Sequence, residues 1–326
     1  MSKIAILKDP HFRLGFPSPI SRKDDYKETL YQKVNFVINQ CKKNKIKHLV
    51  ITGDLFDKKY IKNYNSMSVK ENLELLRYIN SKGIGIVSIA GNHDLPYNNY
   101  NNVEDSLYGL ASKLGLIKDI SYSKIKIKNA IVYGIPYTED RDHLFAKLKE
   151  INETDVLEKK FVVIHEHFIP FDAEIEDLKF SHFYRYSELH EYKNISGFIL
   201  GHLHRGFPIQ KFSFDDKEQI FINIWSFFRL SRSYYTSMDL HTPEMAILDL
   251  ETLEAETITI PHKPYKDVFI NNIEEDEDEL EEVDLSFFTD KESILGMENS
   301  INKMLDECTD NKVKETLSFY LEKVGV

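Results

Sequence analysis

The feature that most constrains this chain is the regular alternation of short, β-branched apolar runs with longer amphipathic stretches over its first two-thirds. Apolar runs of four to seven residues lie at 4–7, 48–52, 84–90, 130–134, 161–164 and 197–200, and they predict strands. Between them, residues 26–42 and 69–80 repeat apolar side chains at helical spacing. Strands that alternate with helices predict an α/β fold with a largely buried sheet.

The pattern changes after residue 204. Strand-like runs follow at 219–224, 245–250 and 255–260 without long helices between them, and we interpret them as the second half of a layered sheet. The first domain is therefore predicted to cover residues 1–265.

The last 61 residues have a different composition, beginning with an acidic linker predicted at 266–285. Its core, residues 274–284, reads EEDEDELEEVD, and so many like charges repel one another and cannot pack. Residues 291–307 and 312–324 then carry amphipathic patterns that predict two short helices in a small helical region, 286–326. Two interpretations stay open: this pair packs on the protein's own body, or it docks on a partner in a groove.

The net charge and the two cysteines limit the classes of function that the chain can have. The chain has 326 residues and a net charge of -11, but residues 271–326 hold 17 acidic residues against 5 lysines. The first 270 residues are almost neutral, so a nucleic-acid partner is not excluded. The two cysteines, Cys41 and Cys308, lack the spacing of a disulfide framework or a thiolate metal site. Any metal must be held by His, Asp and Asn.

The N-terminus shows no leader pattern, and no apolar run approaches the roughly 18 residues that a membrane span needs. The protein is therefore expected to have no membrane partner and to act in the cytoplasm.

Carboxylates, imidazoles and an amide directly follow five of the predicted strands. In open α/β sheets the carboxyl ends of the strands bind ligands, so these side chains are expected to converge on one crevice. Such ligands suit manganese, iron or zinc better than calcium. Glycines at 53, 91 and 201 are expected to allow the tight turns that aim them. The candidate metal ligands are Asp9, His11, Asp54, Asn92, His165, His202 and His204.

Other polar residues are weaker candidates. His165 and His167 compete for one ligand position in the segment Ile-His-Glu-His, and His165 is favoured because it ends the strand. In the loop 95–102, Tyr97 and Tyr100 are either base-stacking platforms or parts of a polar surface loop. Five further histidines have no motif around them and are expected to be structural: His143, His182, His190, His241 and His262.

Together, D-x-H at 9–11, GD-x-x-D at 53–57, GNHD at 91–94, the strand-end His165 and GHxH at 201–204 resemble the signature of the calcineurin-like metallophosphoesterases. Within that superfamily the chain resembles the SbcD-type DNA repair nucleases, with weaker similarity at 134–144 and 226–232. The resemblance implies a layered fold of two packed mixed β-sheets flanked by helices.

The resemblance also implies roles for the candidate residues. One divalent cation would be held by Asp9, His11, Asp54 and His204, and a second by Asp54, Asn92, His165 and His202. Asp54 would bridge the two ions, which are expected to be manganese. His93 would act on the leaving oxygen, and Asp94 would orient the His93 ring, so these two are the candidate catalytic residues.

Two positions depart from the nuclease pattern. Some members carry a histidine three residues after the bridging aspartate, where this chain has Asp57. A Pro-Gly-Ser turn that is common in such nucleases is replaced here by Ile224, Trp225 and Ser226.

The implied function is a manganese-dependent DNA exonuclease or endonuclease subunit that works with an SMC-like ATPase of the SbcC type in recombination and repair. The resemblance implies a homodimer, and richness in Lys, Asn, Ile and Tyr is compatible with a phage gene acting in a bacterial host. Two alternatives stay open: a small-molecule phosphodiesterase or protein phosphatase with the same metal core, and a non-catalytic DNA-binding or scaffold subunit.

Overall fold

The computed structural model describes residues 2–16, 22–173, 183–214, 217–229 and 239–269. Predictions for the acidic linker beyond residue 269, for the helical region 286–326, for His182 and for residues 230–232 lie outside the described residues. The described fold continues past residue 265, since a short helix follows and Val268 and Phe269 are buried.

The first sheet has six strands in the order β14-β13-β1-β2-β3-β4. Neighbours from β1 to β4 run parallel, whereas β13 and β14 extend the β1 edge in antiparallel pairs. The strands are β1 (Lys3–Leu7), β2 (His48–Ile51), β3 (Gly85–Ser88), β4 (Lys118–Asp119), β13 (Glu244–Asp249) and β14 (Ala255–Thr259).

The second sheet also has six strands, in the order β11-β12-β10-β7-β6-β5. Its centre, from β12 through β10 and β7 to β6, is parallel, and β11 and β5 close the two edges in antiparallel pairs. A separate parallel pair consists of β8 and β9. The strands are β5 (Lys124–Ile127), β6 (Ala130–Ile135), β7 (Lys159–His165), β8 (Phe168–Ile169), β9 (Tyr184–Arg185), β10 (Gly197–Gly201), β11 (Gln210–Phe214) and β12 (Lys217–Ile222).

Helices cover the outer faces of both sheets. The described helices are α1 (Tyr26–Lys43), α2 (Ser66–Ser81), α3 (Leu107–Lys113), α4 (Arg141–Glu153), α5 (Tyr186–His190) and α6 (Tyr265–Val268), with short 3-10 turns between 61 and 105. Asp25 and Asn65 begin α1 and α2 by accepting a backbone N–H with their side chains. No helix in the described ranges combines the length and apolar character needed to cross a membrane.

Successive side chains of each strand point to opposite faces of its sheet, and this alternation produces three core layers. In β1, Ile4 and Ile6 pack between the sheets against residues such as Phe161 of β7. The neighbouring Ala5 and Leu7 face α1 and α2 in a second apolar cluster. A third cluster lies between the second sheet and α4 and α5. Because both faces of the central strands are buried, their sequence is continuously apolar. The predicted fold of two packed mixed sheets flanked by helices is confirmed.

The region after residue 204 differs from its prediction. We interpreted all its strands as the second half of a layered sheet, but only β11 and β12 join the second sheet. The strands β13 and β14 return to the first sheet and pair beside β1. Sequence periodicity indicates which residues form strands, but the pairing partner depends on long-range contacts.

Candidate metal centre

The candidate residues follow the carboxyl ends of parallel strands from both sheets. In the first sheet, β1, β2 and β3 lead into Asp9, Asp54 and Asn92. In the second sheet, β7 ends at His165 and β10 leads into His202. The two edges touch, because His165 Nδ1 lies 2.8 Å from the carbonyl oxygen of Thr52. Both sheets therefore contribute to one centre.

The backbone is strained where ligands are presented. Asp9, His11, Asp54 and His202 have positive φ angles of 43°, 44°, 48° and 78°. Few residues other than glycine adopt this left-handed region, although Asp and His are enriched among those that do. Such strain costs on the order of 1 kcal/mol or more per residue and concentrates at functional sites. Four of the seven predicted ligands share this rare geometry.

Asp54 occupies the middle of the cluster. Its Oδ2 lies 3.4 Å from His11 Nε2 and also 3.4 Å from His165 Nε2. Its Oδ1 accepts the backbone N–H of His93 at 2.9 Å. One carboxylate oxygen thus faces a histidine from each sheet while the other is held by the main chain, which is the position that a bridging ligand requires.

His165 is oriented by its second nitrogen. The Thr52 carbonyl oxygen can only accept a hydrogen bond, so His165 Nδ1 carries the proton. The other nitrogen, Nε2, points to Asp54 and lies 3.2 Å from Asn92 Oδ1. Carbonyl oxygens fix metal-binding histidines in this way in many proteins.

The residues present fit divalent cations. His11 Nε2 and His204 Nε2 face each other at 3.0 Å, and the tautomers of the two rings decide which nitrogen donates and which accepts. His11 Nδ1 and Asp9 Oδ2 are buried and have no hydrogen-bond partner among the described residues. A buried polar atom without a partner is costly, and a divalent cation would give the Asp9 carboxylate such a partner. Two groups with ligand atoms within 4.8 Å of one another share Asp54: His11 with His204, and His165 with His202.

Buried charge shifts the pKa values of these ligands. Burial raises the pKa of Asp9 to about 6. Burial also opposes ionisation of Asp54, but His165, His93 and His11 outweigh it and hold the pKa of Asp54 well below its usual range. Burial disfavours the charged ring of His165, yet the carboxylates of Asp54 and Asp9 raise its pKa to about 9. Protons and cations therefore compete for one anionic pocket.

His202 is held by aromatic contacts. Its ring stacks on His167 with 3.8 Å between centroids and 27° between planes, and Tyr137 meets it edge-on at 5.2 Å. His165, and not His167, lies next to Asp54, in agreement with the preference for His165. His167 instead supports the His202 ring and forms a further group with Glu166 and His202.

The predicted contact between Asp94 and His93 is wrong. The ring of His93 pairs through Nδ1 with the carbonyl oxygen of Asp57 at 2.9 Å. Asp94 instead accepts backbone N–H groups from Leu55, Phe56 and Gly91 at 3.0, 3.1 and 3.0 Å. Burial, followed by the charge of Asp54, raises the pKa of Asp94 to about 7. Asp94 fixes the loops that carry Asp54 and His93, and a catalytic role for it finds no support in these contacts.

Lys8 was missed by the sequence analysis. It is completely buried directly before Asp9, and burial lowers its pKa to about 8. Its Nζ donates to the Arg205 carbonyl oxygen at 3.1 Å and to Asn223 Oδ1. Lys8 therefore ties the end of β1 to the segment that carries His204. A lysine directly after an apolar strand run, next to a candidate ligand, was the available signal.

Tyr137 was also missed, although it follows the carboxyl end of β6 as the other candidates follow their strands.

Glycines make room inside the centre. Gly53 has a φ of 113°, and a Cβ there would overlap the His165 ring. Gly91 has an ordinary φ of -92°, so the expected turn is not what requires glycine. A Cβ at Gly91 would overlap Asp54 Oδ1. Close approach is the stronger constraint at this position.

The histidines that were expected to be structural make hydrogen bonds or ring contacts within the fold, where the structure describes them. His190 pairs with Gln219 at 2.9 Å, His241 with Ser226 at 3.1 Å, and His262 with the Ile260 carbonyl oxygen at 2.9 Å. His143 makes an edge-on ring contact with Tyr122.

Solved structures show distant similarity to this chain. TT1561 of Thermus thermophilus is 11% identical with a TM-score of 0.46, over 79% of this chain and 99% of that one. A dimetal phosphatase from Danio rerio is 12% identical with a TM-score of 0.46, over 79% and 99%. A Staphylococcus aureus protein described as a 5'-nucleotidase is 14% identical with a TM-score of 0.49, over 80% of this chain and 54% of that one.

No curated protein matches the sequence. The family model for calcineurin-like phosphoesterases matches residues 2–206, more than half of the chain and the range that contains every candidate ligand. Members of this family are phosphoester hydrolases with a dinuclear divalent metal site, and the His and Asp groups around Asp54 are candidate ligands for such a site. The chain therefore belongs to the calcineurin-like phosphoesterase family.

Proposed function

We propose that this protein is a manganese-dependent DNA nuclease subunit that hydrolyses phosphodiester bonds at the centre around Asp54. The observation that carries the proposal is the placement of His93 beside the candidate ligands. Its ring meets His11 edge-on with 4.7 Å between centroids, and its Nδ1 is fixed by the Asp57 carbonyl oxygen. When a phosphodiester is hydrolysed, the P–O bond to the leaving group breaks and that oxygen departs as an alkoxide unless it is protonated, and an imidazole beside the phosphate can supply the proton.

The residues of the centre have different proposed roles. When bound, the two cations supply an activated water and neutralise charge on the phosphate. Asp54 would hold both ions, and Asp9, His11 and His204 would complete one set while Asn92, His165 and His202 complete the other. His93, which lies outside the two groups that share Asp54 and instead groups with His11 and Asp57, would donate a proton to the leaving oxygen. Removal of His93 should therefore spare cation binding and slow hydrolysis.

The proposal includes partners and a metal. The set of His, Asp and Asn ligands suits manganese. The resemblance to SbcD-type nucleases supports an SMC-like ATPase as the partner in recombination or repair, and a homodimer as the assembly. Because the proposed substrate is DNA, the protein would act inside the cell. Co-purification with the ATPase encoded by the same genome, and ATP dependence of digestion, would test the partner.

A second candidate is a phosphodiesterase or phosphatase for small molecules with the same metal core. It is favoured by the charge of residues 1–270, which hold 36 acidic against 37 basic residues and so lack the excess charge that DNA binding usually uses. A non-catalytic scaffold is disfavoured because the predicted ligands lie close together, with Asp9 and Asn92 beside His165 and the others in two groups around Asp54, and because His93 lies next to them.

Purified protein should be incubated with end-labelled single- and double-stranded DNA, with manganese, magnesium or chelator, beside a His93→Ala variant. We expect manganese-dependent products from the unaltered protein and their loss in the variant. Elemental analysis should show that the variant still binds both cations. Hydrolysis of a generic phosphodiester without any DNA cleavage, also after addition of the ATPase, would reject the nuclease proposal and favour the second candidate. An inert protein that binds no manganese would favour the scaffold.

A further inference from the structure

Two chain segments run side by side away from His93, and they carry residues that the metal chemistry does not use. The first contact between them is His93 Nδ1 with the Asp57 carbonyl oxygen at 2.9 Å. Further along, Lys59 Nζ donates to Asn98 Oδ1 at 3.1 Å, and the rings of Tyr60 and Tyr97 meet edge-on at 5.3 Å. Tyr60, Tyr97, Lys59 and Lys62 form what we call the tyrosine–lysine patch. It is continuous with the catalytic side of the centre.

Tyr97 is unusual in both exposure and backbone. Its surface is 58% exposed, which makes it one of the few large apolar side chains on the described surface. Its φ and ψ are 55° and 26°, and Asn98 follows with a φ of 52°. An aromatic residue in the left-handed region is a genuine outlier. Strain that persists beside a reactive centre motivates a functional hypothesis.

The patch carries positive charge. Lys59 and Lys62 flank Tyr60, and Lys62 Nζ lies 5.0 Å from the centre of the Tyr60 ring. The carboxylate of Asp57, which precedes them, is paired with Arg13 at 3.2 Å. Glu139 borders the patch, where it accepts the Asn98 side-chain amide at 2.8 Å. Lys59 and Lys62 therefore place two positively charged side chains next to the Tyr60 and Tyr97 rings.

Tyr100, in the same loop, has a different environment. Its hydroxyl donates to Asp119 at 2.8 Å, and its ring packs edge-on against Tyr122. Of the two tyrosines considered as stacking platforms, Tyr100 is therefore part of the packed fold, whereas Tyr97 presents its ring at the surface.

We propose that the tyrosine–lysine patch binds one nucleotide of a single-stranded DNA end next to the scissile phosphodiester. The base stacks on Tyr97, and Lys59 and Lys62 contact the adjoining phosphate. Aromatic rings accept any base because every base has a π face, and lysines track the backbone without reading sequence. The patch thus selects single strands over duplexes. This inference rests on the proposed nuclease function and specifies its substrate.

The test compares DNA with a diester that has no base. Tyr97→Gly removes the ring and relieves the backbone strain, and Tyr97→Phe keeps the ring. We expect Tyr97→Gly to raise KM for single-stranded DNA by about 5- to 100-fold, and to raise KM for methyl p-nitrophenyl phosphate by less than about twofold. Tyr97→Phe should match the unaltered protein. The double variant Lys59→Ala, Lys62→Ala should raise KM for DNA and weaken its salt dependence.

The chain offers a matched control. Tyr78 meets Tyr31 edge-on at 6.2 Å and lies under Lys82 at 4.5 Å, so it repeats the chemistry of the patch. It lies near the end of α2, close to the amino end of β3 and therefore at the opposite edge of the sheet. Tyr78→Ala should leave KM for DNA unchanged.

The outcomes separate the two proposals. Normal KM values for single-stranded DNA in both Tyr97→Gly and the double lysine variant would overturn the patch and leave the nuclease proposal intact. An equal loss on both substrates would also overturn it, because a base would not be involved. Hydrolysis of the small diester by the unaltered protein without cleavage of any DNA would instead reject the nuclease proposal itself.

Discussion

The two sheets contribute unequal halves of the metal centre. The first sheet supplies both carboxylates and the amide, and its loops are held by the main chain, as in the three backbone N–H groups on Asp94. The second sheet supplies only imidazoles, which are held by a single carbonyl oxygen, as at His165, or by ring contacts such as that between His167 and His202. Asp54 Oδ2 lies 3.4 Å from a histidine of each half.

This difference follows from charge. A buried carboxylate needs hydrogen-bond donors or cations around it, because an unpaired buried anion is expensive. An imidazole can be neutral, and apolar ring packing is enough to hold it. We therefore expect substitutions in the first half to affect cation binding and folding strongly, and equivalent substitutions in the second half to have smaller effects.

The largest effect is expected for Asp54→Asn, which removes the charge shared by both halves. Cation binding should fall below two per chain, and hydrolysis of a phosphodiester should fall by about a thousandfold or more, since metal stabilisation is worth several kcal/mol. His202→Asn should lose one cation and keep the other. Elemental analysis and kcat would measure both. If the Asp54→Asn variant still bound two cations, the expected difference between the two halves would be wrong.

Asp94→Ala should be the most destabilising of the variants that leave the ligands intact. It leaves the N–H groups of Leu55, Phe56 and Gly91 without their acceptor. We expect the free energy of unfolding to fall by on the order of 3 kcal/mol, as measured by urea denaturation. Asp94→Asn, which keeps one acceptor oxygen, is the control and should lose less. Equal stability of Asp94→Ala and the unaltered protein would contradict the role given to the main chain.

His93→Gln tests the chemistry at the junction of the halves. The variant should bind cations normally, and kcat should fall by about a hundredfold. Phosphodiesters with better leaving groups should be less affected, because they need less protonation. A uniform loss over all leaving groups would remove His93 from proton transfer.

Cation affinity should depend on pH through His165. Its pKa of about 9 lies above the ordinary value of 6.5, so the charged ring stabilises the metal-free fold below pH 6.5 and this contribution is lost as the pH rises through about 9. A cation must displace that proton. We expect affinity to fall about tenfold for each pH unit below 9, with proton release in calorimetry across buffers. Affinity independent of pH between 7 and 9 would contradict this coupling.

The smallest effect is expected for His167→Ala in the second half. Loss of the stacked ring, 3.8 Å from that of His202, should weaken cation binding by about two- to tenfold. His167→Phe should restore binding, because a ring and not an imidazole is needed. If Phe fails to restore it, the group of Glu166, His167 and His202 would hold an ion of its own.

The strands, and the convergence of the candidate ligands at their carboxyl ends, could be predicted because both follow from local patterns. The central strands bury both faces and are continuously apolar, so β1, β2, β7 and β10 lie within one or two residues of their predicted bounds. The helix α4 was missed, since it buries only Leu144, Leu148 and Ile151 among charged neighbours. Its cap, Asp140, was the available signal.

Contacts between distant segments could not be predicted. Asp94 follows His93 directly, which made a pair between their side chains attractive, yet its partners include Leu55 and Phe56, 39 and 38 residues away. The partners of Lys8, Arg205 and Asn223, are 197 and 215 residues away. Such roles depend on how the two sheets are packed, and spacing along the chain does not contain that information.

The left-handed backbone at Asp9, His11, Asp54 and His202 limits how this centre can be re-engineered. A longer carboxylate such as glutamate, or a cysteine introduced to change the metal, would have to adopt a conformation costing about 1 kcal/mol or more beyond any change in coordination. Asparagine tolerates that conformation, so the charge of a ligand can be varied here without moving the main chain. Substitutions that change the charge of a ligand should therefore alter the metal preference of this centre more readily than substitutions that change the length of its side chain.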